Sequence, residues 1–432
     1  MNNYPITVPA IRVTQPLGIF YVVSLPARVL LDTAYSDRLR ARRSADGSSY
    51  ELEGSQRELH RDRLREIGTY LSTEESTFPN SIILAPNFDL ESGLPVDNSD
   101  IRWRVVEKEC TCVPGDVSYS LTIPTDEALA PIIDGQHRLF GFNFCDKPDR
   151  MDMGLVCSIF LDLPKPFQAF LFATINSNQR PVNKSQTYEA FGYNIEKELP
   201  DSWSPDKLAV FLARKLNAED DSPLKGRILI AAENDFAMTR IEARQQGTWM
   251  VSMATVVEGI SRLVSQNPKR DRTALLKRHP NDRRREILTS EVPADRSPLR
   301  SLYLAANDKV VYAAVKNFMI AANDMFWNKC QPASFICKTV GVQALFDTLV
   351  ELSKEGLASK TFSVEFFRER LRAAADIDFT ATLFQNASGA GRLIIRTCIL
   401  FRLGLKNEED LPASNKEEIL AVLRDVRSVE YR

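Results

Sequence analysis

Only three histidines (His60, His137 and His279) stand among the 432 residues, and no GxSxG, HExxH or GxxxxGK[ST] sequence occurs. A hydrolase nucleophile elbow, a zincin centre and a Walker-type ATPase are thereby excluded as sources of chemistry. No uninterrupted apolar run reaches the ~18 residues that a membrane-spanning helix requires. The most apolar late segment, 393–405, carries Arg396 and Arg402, so it reads as a buried helix and no membrane partner is expected. The first residues lack a basic start followed by an apolar core, so no signal peptide is expected. The seven cysteines are odd in number, and the chain is long enough to fold without staples. Reduced thiols in a cytoplasmic protein are therefore expected. Cys110 and Cys112 are one residue apart with no His–Cys pair following, so no metal site is expected. A net charge of −2 excludes a uniformly basic nucleic-acid glove, and any such contact must come from a local patch.

What is present is ordinary globular material, 44% hydrophobic and 26% charged. The length suggests two or three domains. The first half reads as mixed α/β. Short β-branched runs lie at Ile19–Val23, Ser81–Leu84, Val117–Thr122, Ala130–Ile133 and Leu155–Leu163. Helical periodicity lies at Gln56–Leu71, Gln136–Phe144 and Pro166–Ile175. In the first of these helices His60, Leu64, Ile67 and Leu71 share a face. The second half reads as helical, at Met250–Val264, Lys309–Trp327, Val342–Lys354, Val364–Ala375, Arg392–Leu403 and Lys416–Val426. We place the domains at 1–195 and 196–432, with exposed loops at Tyr35–Gly54 and Asn267–Pro298. His279 belongs to the second loop.

The sharpest local feature is Asp134-Gly135-Gln136-His137-Arg138, where a β-branched strand runs through Asp-Gly into a helix start. Gly135 suits a tight turn, and the helix start offers N–H groups and a positive dipole end. Arg138 brings a fork for phosphate oxygens, His137 a donor or titrating group, and Asp134 a carboxylate for Mg²⁺ or water. The same residues also suit a plain helix start capped by Asp134. A second feature is the amide- and cation-rich run Asn176, Asn178, Gln179, Arg180 and Lys184. It can read a base edge and neutralise phosphates, or simply be a loop with Asx turns. Gln56 and Arg57 form a third amide–cation pair at a helix start, or a surface cap. The fourth feature is basic: Lys269, Arg270, Arg272, Lys277, Arg278, Arg283, Arg284 and Arg285 stand against Asp271 and Asp282. This run could track a nucleic-acid backbone or be a solvated loop, and it has no interleaved aromatic residue for stacking.

The pentapeptide Asp134–Arg138 spells the signature of the DGQHR-domain proteins, a group that includes the DndB family associated with DNA sulfur modification. Other blocks resemble the family in the same order: the Gln56-Arg57 helix with Ile67 and Tyr70-Leu71, the FPNSIIL run at Phe78–Leu84, Ile175–Gln179 to Lys184, and Asp378-Phe379 followed by Ser388-Gly389. The resemblance implies an α+β chain, with a ParB/sulfiredoxin-like mixed α/β N-terminal domain and a mostly helical C-terminal domain. In that fold a Gly-x-x-Arg box holds nucleotide phosphates, and Gly135 to Arg138 would occupy it. Because Asp134 and Gln136 flank Gly135, the cysteine of sulfiredoxin chemistry is missing and sulfinic-acid reduction is not expected.

The function implied is a nucleotide-binding, ATP-hydrolysing accessory protein of a bacterial DNA modification or restriction system, of phosphorothioate or deazapurine type. Its cofactors would be ATP or another NTP with Mg²⁺, and its partners DNA and the other proteins of the system. In that role Asp134, His137 and Arg138 act on the phosphates, while Gly135, Gln136, Gln56, Arg57, Asn176, Asn178, Gln179, Arg180 and Lys184 bind the nucleotide. Two rivals remain at this stage. One is a DNA-binding operon regulator that uses the basic run, and the other is a ParB-like nuclease using Asp134 and His137. Whether the chain is a homodimer is left open.

Overall fold

The β-branched runs of the first half pair into one eight-stranded mixed sheet. The structure, a computed structural model, describes residues 3–36, 40–43, 50–53, 60–109, 117–177, 183–192, 195, 198–231, 238–246, 248–292, 294–328, 330–331, 333–385 and 388–424. The chain divides into two compact units, Met1–Pro181 and Val182–Arg432.

In the first unit β1 (Ile6–Gln15) turns back into β2 (Gly18–Pro26), followed by α1 (Ala27–Thr33) and β3 (Ala34–Tyr35). A small hairpin of β4 (Arg40–Arg43) and β5 (Tyr50–Glu53) stands apart from the main sheet. Then come α2 (Arg61–Leu71), β6 (Ile82–Leu84), β7 (Arg104–Glu109), β8 (Val117–Ile123), β9 (Ala130–Asp134), α3 (Gln136–Phe140), β10 (Gly154–Ile159) and α4 (Lys165–Ser177). The sheet order is β3-β9-β6-β10-β2-β1-β8-β7. The β3/β9 and β6/β10 pairs are parallel and the others antiparallel. Its core gathers Leu25, Leu30, Leu71, Ile82, Leu84, Leu121, Ile132, Leu139, Phe142 and Ile159.

Two glycines let α2 settle on the segment that continues α3 as a 3₁₀ turn, Gly141–Phe144. A Cβ on Gly68 would fall 2.3 Å from the Phe144 carbonyl oxygen, and one on Gly141 would fall 2.3 Å from Ile67 Cγ2. This close approach also brings the start of α2 to the start of α3.

The second unit is mainly helical: α5 (Lys184–Phe191), α6 (Pro205–Ala218), α7 (Arg240–Gln245), α8 (Met253–Val264), α9 (Pro268–Leu276), α10 (Leu288–Glu291), α11 (Arg300–Leu304), α12 (Asp308–Ala322), α13 (Thr339–Ser359), α14 (Val364–Leu371), α15 (Gly389–Arg402) and α16 (Lys416–Arg424). A short parallel pair, β11 (Ile228–Leu229) and β12 (Val251–Ser252), is its only extended structure among the described residues. The apolar faces of α6, α8, α12, α13 and α15 meet in one core around Leu212, Ile260, Phe318, Phe346 and Ile399.

The mixed first half and helical second half are as the sequence indicates. Three readings need correction. The stretch Asn267–Pro298 is not a loop: it forms α9, two 3₁₀ turns at Pro280–Asp282 and Arg285–Ile287, and α10. Within Tyr35–Gly54, the described parts hold a strand end and the β4/β5 hairpin. The thiols are not all reduced, because Cys330 and Cys337 are joined as a disulfide. Cys145, Cys157 and Cys398 are free, and Cys110 and Cys112 lie outside the described residues.

Gly68→Ala tests the docking of α2. Helix propensity alone favours Ala by about 1 kcal/mol. The new Cβ, however, meets backbone, and such overpacking costs about 1–3 kcal/mol. The variant should therefore melt a few degrees below the parent in a thermal scan; a raised melting temperature would show that α2 does not pack here.

Candidate functional site

The candidate site lies where β9 ends. Residues 130–133 are buried, and Asp134 is the last residue in register, opposite Ile83 of β6 beside a β-bulge. Gly135 then adopts φ +101°, a left-handed value, and a Cβ there would fall 2.6 Å from Ile82 Cδ1. Both the backbone angle and the space demand glycine. The turn closes as the Leu139 N–H donates to the Gly135 carbonyl at 3.0 Å. Gly135 is itself the N-cap position, and no side chain caps α3, so Asp134 is not the cap that the sequence also allowed.

Asp134 and Arg138 face each other. Arg138 Nη2 donates to Asp134 Oδ2 at 2.5 Å, and Arg138 Nη1 donates to the Asn80 carbonyl at 2.7 Å. Only a fifth to a quarter of either side chain is exposed. The guanidinium fork expected to take phosphate oxygens instead ties the β9–α3 turn to the segment entering β6. Gln136 is buried, and its Oε1 accepts from Ser36 Oγ at 2.6 Å.

Successive helix residues point ~100° apart, so His137 leaves the Arg138 side. It stacks nearly parallel to His60, with ring centroids 6.3 Å apart and planes 7° from parallel. The His60 backbone N–H donates to His137 Nε2 over a long 3.5 Å. Burial lowers the His137 pKa from its ordinary value, and the positive charge of Arg63 and the His60 ring lower it further. Two imidazoles and a guanidinium thus share one side of the turn. With Arg138 paired to Asp134, Arg63 is the cation that acts on the His137 ring. The dipole of α3 adds little, because that helix has only five residues.

The remaining expectations divide. Gln56, Arg57, Asn178, Gln179 and Arg180 lie outside the described residues, and Asn176 is placed only by its backbone in α4. Lys184 opens α5 in the second unit, where it pairs with Glu258 at 2.9 Å. His60 is not the half-buried face residue that periodicity suggests: it is exposed at the N-cap position of α2. His279 begins a 3₁₀ turn, its Nδ1 accepting from the Asn281 N–H at 3.4 Å. His60 and Arg63 are the functional candidates the sequence did not yield. Their signal, an imidazole and a guanidinium one turn apart at a helix start, was hidden by counting His60 with the apolar face.

The basic run is largely paired within the fold. Arg285 is 1% exposed and holds Asp308 with both terminal nitrogens, at 2.5 and 3.1 Å, while its Nε donates to the Trp203 carbonyl. Arg272 pairs with Asp206, Arg278 with Glu291, and Arg284 with Asp201 at 3.1 Å. Arg283 is buried and donates to the Arg278 carbonyl. Lys269 is exposed, and Arg270 and Lys277 are half-buried. Four of its six guanidinium groups, those of Arg272, Arg278, Arg284 and Arg285, thus pair with the unit's own carboxylates.

Among the described residues no group of three His, Cys, Asp or Glu side chains is placed to hold a metal ion. Asp134, expected to hold Mg²⁺, is engaged by Arg138, so these residues do not fit a protein-held cation. Comparison with protein-family models, curated proteins and solved structures gives no match.

Asp134→Ala and Arg138→Ala should each cost the first unit about 1–3 kcal/mol in urea unfolding, and the double variant clearly less than their sum. Strict additivity would mean that the pair is not formed. Arg285→Ala, which strands Asp308, should cost about 3–5 kcal/mol. On this geometry Arg283, Arg284 and Arg285 changed together to Ala should lower the melting temperature sharply; an unaltered melt with reduced DNA retention in a gel shift would restore the nucleic-acid reading.

Proposed function

We propose that the first unit binds a nucleotide through its phosphates, on the His60–Arg63–His137 side of the β9–α3 turn. The protein would then be a nucleotide-binding accessory component of a bacterial DNA modification system, with a ParB/sulfiredoxin-like first domain, as the DGQHR resemblance implies. One observation carries the reading: Arg63 acts, after burial, to hold the His137 pKa down, and the His60 and His137 rings lie nearly parallel beside it. An anion is the ligand that such a cluster stabilises most. Arg63 supplies the permanent charge and the two imidazoles supply donors.

The pentapeptide's role changes accordingly. Gly135 shapes the turn, Asp134 and Arg138 lock it, and His137 meets the ligand. Binding is better supported than turnover. Asp134 is engaged as an ion-pair partner, so it is not arranged as a general base. ATP is the nucleotide the resemblance favours, and any Mg²⁺ would be carried by its phosphates. The paired basic run gives no comparable support to a DNA-binding regulator, and the Asp134–Arg138 pair gives none to a metal-assisted nuclease.

With only three histidines, proton NMR of their C2–H resonances reads this site directly. ATP should move two resonances, His60 and His137, and leave His279 in place. Bound phosphate favours the imidazolium, so the His137 midpoint, lowered in the free protein, should rise on saturation. By linkage, ATP affinity should strengthen as the pH falls from about 7.5 to 6, through the ordinary His range. Arg63→Ala should weaken ATP about tenfold and, without ligand, let the His137 midpoint climb. If ATP shifts neither resonance at saturating concentration, the proposal fails.

A further inference from the structure

The disulfide of the second unit joins two cysteines in unlike surroundings. Cys330 is half-buried, in a stretch where Asn328 and Gln331 are exposed. Cys337 is 5% exposed, at the end of the 3₁₀ turn Phe335–Cys337 that packs into the core. An incoming thiol therefore meets the Cys330 sulfur first, and attack there makes Cys337 the leaving group. The next residue, Lys338, is the N-cap of α13, which runs for 21 residues. A helix start carries the positive end of the dipole, and the Lys338 ammonium stays beside the same turn, over the Phe335 ring at 3.5 Å. Both stabilise negative charge where Cys337 would leave as a thiolate.

The bridge is not the main restraint on its own segment. Trp327 Nε1 donates to the Ile336 carbonyl at 3.2 Å, and the Phe335 N–H donates to the Phe379 carbonyl at 3.0 Å. Trp327, Ile336 and Cys337 are themselves part of the large helical core. The two cysteines are only seven residues apart in sequence. A bridge over so short a loop constrains the unfolded chain less than a long one does. Opening it therefore takes little from the unit, which suits exchange better than stapling.

We propose that Cys330–Cys337 is a thiol-exchange site, cycling between disulfide and dithiol with small thiols, and that Cys330 is the sulfur attacked. A thiolate of the small thiol bonds to the Cys330 sulfur as the Cys330–Cys337 bond breaks, its electron pair leaving on Cys337. A second thiolate attacks the added sulfur, releases the small-molecule disulfide and leaves Cys330 as thiolate. Two small thiols are thus oxidised, the protein disulfide gains two electrons, and the protons they lose return to the two cysteines. The site lies wholly in the second unit and does not depend on the phosphate cluster of the first.

Glutathione is the probe. The full chain, purified without reductant, is exposed to millimolar reduced glutathione, alkylated while folded and mapped by peptide mass spectrometry. The bond should open in the folded protein, with the melting temperature lowered by no more than a few degrees, and oxidised glutathione should close it again. Cys337→Ser should collect a glutathione adduct on Cys330 when given oxidised glutathione. In Cys330→Ser the buried Cys337 should react at least about tenfold more slowly. Thermal melts check that both variants fold, and the parent's response stands without them. The proposal is overturned if the bond resists reduced glutathione until urea unfolds the chain, or if opening it collapses the melt. It is equally overturned if oxidised glutathione cannot join the two thiols, or if the adduct forms on Cys337 as fast as on Cys330.

Discussion

A guanidinium gripping the carboxylate one helical turn behind it is the interaction on which the first unit's chemistry rests. Arg138 closes on Asp134 and also reaches the Asn80 carbonyl, so the end of β9, the start of α3 and the approach to β6 move as one body. That rigidity sets the direction of His137. The glycine contacts between α2 and the 3₁₀ segment set the position of His60. An anion site built this way is preorganised by groups that do not themselves touch the anion, which lowers the cost of ordering donors upon binding.

Both units show that the meaning of a charge depends on its partner. Counted along the chain, Arg138 and the 269–285 run are the obvious cations. In the folded protein they are among the best neutralised, because buried guanidinium groups must find carboxylates or carbonyls. The cation that acts on the first unit's imidazoles is less conspicuous in sequence: Arg63, on an arginine-rich helix. The carboxylate partners of these arginines, Asp201, Asp206, Glu291 and Asp308, lie outside the run itself, so local charge counting could not reveal the pairing.

The parts of the fold that were legible are those whose pattern is local. β9 and β10 announce themselves as β-branched runs because they lie inside the sheet, and α8, α12, α13 and α15 by long apolar periodicity. β1 was not legible, since Pro9 argues against a strand. The structure tolerates it because residues 6–10 pair with β8 and residues 11–15 with β2, so Pro9 is not asked to bond on both sides. β7 was missed for a different reason: it is an edge strand rich in charge, which is how edges avoid unwanted pairing. Of the site, the turn and its glycine were readable. The pairing of Asp134 with Arg138 and the arrival of His60 were not, because they depend on helix direction and on α2 docking across the unit.

The crowding around Gly135 ties two letters of the pentapeptide together. Any side chain at 135 would collide with Ile82 and press on the Arg138 guanidinium, whose Nη2 lies 3.3 Å from where a Cβ would stand. Tolerance at 135 is thus inseparable from tolerance at 138. A library varying these positions one at a time would score both as immutable, and only joint variation, with Ile82 trimmed, could reveal how much freedom the turn retains.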